Sequence, residues 1–219
     1  AKHQVTVIVT DHRKAPQQGK NVAVKGDLGH SAAGKTDKNG ELTVPEVEQT
    51  ERHGVYIVGY TDGTFGPSRS MTRAEAAAIF ARLLAEKNGD TISTAANTKF
   101  ADIPAHAWYS GYVKYLSNNG ITYGKSKTIF APNDAITRAE FTTMAVRFFD
   151  VYGDGDAEIM EQFSGFNDVS SGYWAAEYIK YAALHGWING YGDGSFHAER
   201  EINRAEVVTI VNGLLGREA

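Results

Sequence analysis

Thr72-Arg73-Ala74-Glu75 is written three times in this chain, returning as Thr137-Arg138-Ala139-Glu140 and as Asn203-Arg204-Ala205-Glu206. Spacings of 65 and 66 residues mark a repeat, and a repeat governs every other reading of a sequence. Each copy has the form of a capping box. Thr or Asn accepts from a free first-turn amide, and Glu three residues later reaches back to the cap's own amide. The tetrads therefore predict three helix starts. Arg has no part in capping. At the first helical position it is expected to be exposed at the positive end of a helix, where a cation is electrostatically misplaced. An anionic ligand is one explanation, and a surface or inter-repeat salt bridge is the other.

Counting from each Glu, apolar residues fall at +1, +4, +5, +8 and +9. They are Ala76, Ile79, Phe80, Leu83, Leu84; Phe141, Met144, Ala145, Phe148, Phe149; and Val207, Ile210, Val211, Leu214, Leu215. This is the stripe of a helix with one buried face. Three equivalent stripes most simply face one another, so the fold class is mainly α: a pseudo-threefold helical domain around a three-helix bundle.

Upstream of each Arg by eight residues stands Phe65, Phe130 or Phe196. A Gly-rich turn precedes it: Gly59-Tyr60-Thr61-Asp62-Gly63 matches Gly190-Tyr191-Gly192-Asp193-Gly194, whereas the middle copy reads Gly124-Lys125-Ser126-Lys127-Thr128. Asp-Gly there predicts a tight turn with positive φ, and glycines leave amides open to a ligand. Repeats two and three add a second helix. Phe100-Ala101-Asp102 precedes Trp108, and Phe166-Asn167-Asp168 precedes Trp174. Apolar stripes run on through Tyr112, Tyr115, Leu116 and Tyr178, Tyr181, Ala182, and Gly120 and Gly186 stand at the C-cap place. Each Trp reads as core or as a sugar platform, and each Asp as a ligand contact or a cap for the helix after it. The first repeat lacks this leading half.

Residues 1–48 read as a small β segment and 49–219 as the helical domain, with repeats at about 53–88, 99–150 and 165–216. Strands are predicted at Val5–Val9, at Asn21–Lys25 and after the turn at Asn39-Gly40. Their order resembles the opening of bacterial immunoglobulin-like modules; a plain β appendage is the alternative.

The 219 residues are 42% hydrophobic and 22% charged, an ordinary globular balance. A net charge of −4 argues against general nucleic-acid binding. No run approaches the roughly 18 apolar residues of a membrane span. No signal-peptide pattern opens at Ala1, which reads as a mature product, an internal fragment or a cytosolic protein. Without cysteine, disulfide and thiolate chemistry are excluded. The seven histidines form no i, i+4 metal pair, no Gly-x-Ser-x-Gly occurs, and no enzyme is predicted. Asp150, Asp154, Gly155, Asp156, Glu158 and Glu161 fit part of a calcium-loop template, but Tyr152 stands at its third position, so a solvated acidic linker is expected and no metal site or cofactor.

Phe-x-Asp-Val, Trp six residues after the Asp, Gly-Tyr-x-Asp-Gly-x-Phe and Thr-Arg-Ala-Glu together resemble S-layer homology repeats, over about residues 53–216. The resemblance implies a three-repeat domain on the bacterial cell surface or S-layer. It implies non-covalent anchoring through secondary cell-wall polysaccharide, typically a pyruvylated amino sugar. Carried over by position, ligand-binding residues would be Arg73, Arg138, Arg204, Asp102, Asp168, Trp108, Trp174, Gly59 and Gly190. The chemistry is compatible, since Arg can grip a pyruvate carboxylate bidentately beside first-turn amides that favour anions. Repeat one lacks Asp and Trp, repeat two has lost Tyr-x-Asp-Gly, and repeat three has Asn203 for Thr. Fewer than three competent grooves are expected, with those near Arg138 and Arg204 first. The competing function is a structural module joining protein chains in a surface assembly, its sugar sites degenerate.

Overall fold

The computed structural model describes residues 6–8, 21–25, 31–35, 41–43, 56–60, 62–152 and 163–217. The chain divides into two units, Ala1–Arg52 and His53–Ala219. The first contains β1 (Thr6–Ile8), β2 (Asn21–Lys25), β3 (Ser31–Lys35) and β4 (Glu41–Thr43). They form two antiparallel pairs, β1 with β4 and β2 with β3, with Val7 opposite Leu42 and Ala23 opposite Ala33. β3 was not legible, because Ser31-Ala32-Ala33-Gly34-Lys35 holds no β-branched or aromatic residue. The two pairs do not extend to an immunoglobulin-like sandwich among the described residues. The predicted turn at Asn39-Gly40 lies outside them, as does the acidic stretch from Asp154 to Glu161.

The second unit is helical: α1 (Arg73–Asn88), α2 (Ser110–Asn118), α3 (Arg138–Tyr152), α4 (Ala176–Leu184) and α5 (Arg204–Leu214). α1, α3 and α5 start at the three tetrads. The capping boxes are complete at Thr72/Glu75 and Asn203/Glu206, and Thr137 and Glu140 exchange the same two bonds at 3.1 and 3.2 Å. The stripes form the core. Phe80 meets Phe141 and Phe148 at centroid distances of 5.2 and 5.1 Å, and α3 packs against both α1 and α5. α2 packs on α1, and α4 on α3. Gly120 and Gly186, at φ 74° and 69°, take the left-handed turn that ends α2 and α4.

The strand-like segments before the tetrads tie the repeats together. Met71 N–H donates to the Ile202 carbonyl, Ile202 to Ile136 and Ile136 back to Met71, a closed ring of backbone hydrogen bonds at 2.9–3.0 Å. Next to the ring, the amides of Arg73, Arg138 and Arg204 donate to the carbonyls of Asp134, Arg200 and Arg69. No described helix is long and apolar enough to cross a membrane.

Candidate functional site

The tetrad arginines are not exposed. Arg73, Arg138 and Arg204 are 4%, 5% and 3% accessible. Each side chain leaves its own repeat and enters another. Nε of Arg73 donates to the Phe130 carbonyl at 2.7 Å, that of Arg138 to Phe196 at 2.9 Å and that of Arg204 to Phe65 at 2.9 Å. The guanidinium carbons lie 5.0, 4.5 and 4.7 Å from the centroids of those same Phe rings. A capping-box glutamate answers each charge: Arg73–Glu140 at 2.9 Å, Arg138–Glu206 at 2.9 Å and Arg204–Glu75 at 4.0 Å. A buried guanidinium is tolerable only when paired and hydrogen-bonded, and here both conditions are met across repeats. The same glutamate therefore caps its helix through Oε2 and pairs with a neighbour's Arg through Oε1.

Asp102 and Asp168 do not cap the helices after them, whose N-caps are Tyr109 and Ala175 without side-chain bonds. Asp102 accepts from the amides of Phe130 and Ala131, and Asp168 from those of Phe196 and His197. Ala131 and His197 hold φ of 58° and 55°, a left-handed conformation that costs a residue with a Cβ about 1 kcal/mol or more. The carboxylate clamps that turn. Repeat one has no such Asp, and the matching residue is Gly66 at φ 62°, which needs no clamp.

The loop glycines also have internal work. A Cβ on Gly190 would stand 2.5 Å from the Phe166 ring, and one on Gly59 3.0 Å from the Thr64 carbonyl. The Asp-Gly positions Gly63 and Gly194 take φ of 79°, as their sequence predicts. The amides of Tyr60, Gly63, Tyr191 and Gly194 are bonded within their own turns and are not open donors.

Trp108 and Trp174 precede their helices by two residues and point outward, each 55% accessible. Neither belongs to the core; Tyr109 and Ala175, one residue later, are the buried ones. Trp108 lines a cleft of about 150 Å³ together with Tyr56, Val58, Glu75, Arg82 and Arg204. Three repeats contribute to that cleft: Arg204 from the third, Glu75 from the first and Trp108 from the second. A second cleft, of about 160 Å³, contains Arg138, Glu206, Trp187, Asn189, Tyr191 and Thr209. Among the described residues no outward Trp lines it, and repeat one has no Trp to supply. The Trp and Arg of one repeat thus do not meet.

Electrostatics distinguish the clefts. Burial pulls the Arg138 guanidinium below its ordinary value, opposed by Tyr191 and Glu206. Burial would raise Glu206, but the Asn203 amide, the Tyr191 hydroxyl and the charges of Arg138 and Arg200 together hold it below the usual carboxylate range. Glu206 Oε1 receives Arg138, Arg200 and Tyr191. Beside this cleft, Ser195 Oγ lies 3.0 Å from His197 Nε2, and His197 Nδ1 lies 3.8 Å from Asp168. The residue types match a nucleophilic triad, but the roles do not. Ser195 is buried and donates to Asp193 at 2.6 Å, and Asp168 already serves two amides.

The sequence reading missed Glu75, Arg82, Tyr56 and Trp187 as cleft residues. One signal was present. Arg and Glu two positions apart cannot face each other on one helix, so three Arg-x-Glu copies point to pairing between helices. Glu75, Ala78, Ile79 and Arg82, at i, i+3, i+4 and i+7, likewise mark the α1 face that walls the cleft.

Comparison with known proteins agrees with the repeat count. The S-layer homology domain matches residues 43–77, 99–142 and 165–208, the first stretch being the shortest. The chain is 32% identical over 189 residues to a cellulosome-anchoring protein of Acetivibrio thermocellus, covering 85% of this chain and 41% of that protein. It is 36% identical over 173 residues to cell surface glycoprotein 1 of the same organism, covering 75% and 7%. It is also 36% identical over 135 residues to the surface-layer 125 kDa protein of Lysinibacillus sphaericus, covering 61% and 10%. The chain therefore spans less than half the length of each of these relatives. With three matched segments that each contain one of the Arg-centred tetrads, the chain belongs to the S-layer homology family.

Proposed function

We propose that this chain anchors a larger protein non-covalently to the bacterial cell envelope by binding an anionic, pyruvylated secondary cell-wall polysaccharide. Its family and surface-protein relatives put it at the bacterial cell surface. It serves as an attachment module and not as an enzyme. The observation that carries the reading is the cleft in which buried Arg204, carboxylate-bearing Glu75 and outward Trp108 converge from three repeats. A sugar face stacks on the indole, and the ligand's carboxylate takes guanidinium N–H groups; such a charge-assisted contact is worth about 1.5–3 kcal/mol. By repeat equivalence Trp174 serves the groove of Arg73. The cyclic arginine contacts and the Met71–Ile136–Ile202 ring support a pseudo-threefold arrangement of the domain, which we assign to residues 49–219. Of the ligand residues implied by the family, Asp102, Asp168, Gly59 and Gly190 act by shaping the loops that flank the grooves.

Titration of the intact chain with pyruvylated and depyruvylated cell-wall polysaccharide tests this. The pyruvylated form is expected to bind tighter, and Trp108→Ala to weaken it about tenfold with an unchanged melting temperature, since the ring is half exposed. Equal binding by Trp108→Ala would sink the cleft assignment. The reading as a protein–protein assembly module draws on one observation, that all three tetrad arginines already have carboxylate neighbours. It predicts concentration-dependent association in light scattering and indifference to pyruvylation.

A further inference from the structure

The Arg204 cleft poses a charge problem. Glu75 stands in its wall, so Arg204 alone offers an anion no net attraction. Arg82 supplies the missing charge. It lies two turns after Glu75 on the same face of α1 and lines the same cleft. Its Nη1 donates to the Tyr56 carbonyl at 3.3 Å, and its guanidinium carbon lies 5.1 Å from the Tyr112 centroid. Both partners are neutral. Among the described residues no carboxylate pairs with Arg82. The guanidinium is held in place while its charge and most of its N–H donors stay available.

The Arg138 cleft is built otherwise. On α5 the residue seven after Glu206 is Gly213, so no second guanidinium enters from that wall. Its other nearby cation, Arg200, is committed to Glu206 and the Tyr191 hydroxyl. Arg138 itself is 2.9 Å from Glu206, whereas Arg204 stands 4.0 Å from Glu75. One cleft has two arginines facing one loosely held glutamate. In the other the cations are closed onto theirs.

We infer that Arg82 is a specificity-determining residue: of these two clefts, the Arg204–Trp108 cleft selects a saccharide bearing a single carboxylate, while the Arg138 cleft does not select for it. The inference rests on the polysaccharide-binding reading above. A pyruvate ketal and a uronic acid share the required chemistry, a carboxylate fixed to a sugar ring that an Arg fork can grip.

The clefts carry their own reporters, Trp108 in one and Trp187 in the other. Indole N–H shifts of the full chain are followed by NMR against three probes: a pyruvylated N-acetylhexosamine oligosaccharide, the same compound without pyruvate, and a glucuronate-bearing oligosaccharide. Trp108 is expected to titrate at lower concentration with an acidic probe than with the neutral one, and the tighter acidic probe identifies the carboxylate's source. Arg82→Gln should shrink that preference about fivefold. As a second variant, Gly213→Arg installs the missing guanidinium. A Cβ there meets only ordinary contacts of 3.4 Å or more, and Trp187 should then begin to respond to the acidic probe. A full preference retained in Arg82→Gln, a silent Trp187 in Gly213→Arg, or a wild-type Trp187 that prefers acid as strongly as Trp108 overturns the inference. No acid preference at Trp108 in the wild-type chain overturns the anion-binding reading beneath it.

Discussion

Ala131 and His197 are two side-chain-bearing residues in a backbone region that glycine prefers, and each is clamped by an Asp 29 residues earlier. Gly66 fills the same place in repeat one, where among the described residues no carboxylate clamps the turn. Asp102→Ala should therefore destabilise the protein by about 1–3 kcal/mol, because two amides lose their acceptor. Adding Ala131→Gly should recover part of that loss, about 1 kcal/mol, by removing the Cβ strain. Urea denaturation of the two variants decides it; no recovery in the double variant would mean the carboxylate does not serve the turn. The residue scale is also where sequence reading was weakest. The tetrads announced themselves, but an arginine's partner 57 to 139 residues away along the chain leaves no local pattern. Trp108 could be read as core or as platform for a related reason: it begins an apolar spacing, yet it precedes the helix proper and so escapes the helix's buried face.

At the scale of the helix, periodicity carried nearly everything. The starts of α1, α3 and α5 and their buried faces were legible because capping and the 3.6-residue stripe are local physics. The second task of the capping glutamates was not, since it depends on which helix lies alongside. Glu206 in particular has its ionised form stabilised in the folded state by Asn203, Tyr191, Arg138 and Arg200. Its folded pKa is depressed below the reference 4.5, so its contribution is present above that value and is lost as pH falls through the lower folded one. Asp168 is depressed in the same sense by the Phe196 and His197 amides, against burial. Stability should fall on acidification below about pH 4.5, and Glu206→Gln should flatten part of that slope. Urea midpoints across the acid range test this, and an unaltered slope in the variant would remove Glu206 from the account.

For the whole molecule, each repeat of the helical unit is incomplete. Its arginine lacks a carbonyl and its glutamate lacks a cation until a neighbour arrives. The helical unit should consequently unfold in one transition, with helix content by far-UV CD and fluorescence of Trp108, Trp174 and Trp187 falling together. Separate midpoints for the two signals would show that repeats come apart singly. Domain class and repeat number could be read from the chain because they are written as recurrence. Cleft composition could not, because Arg204, Glu75 and Trp108 come from three different repeats and meet only after closure.

The ring of Met71, Ile136 and Ile202 has a mechanical consequence for a protein proposed to tether others. In an open array of repeats, tension travels along the chain and peels units off one end at a time. Here the first segment is stitched to the last, through Met71 to Ile202 and through the Tyr56 hydroxyl to Asn212. A pull along the backbone meets a buckle whose three seams share the strain, so yielding at one seam requires the others to give as well.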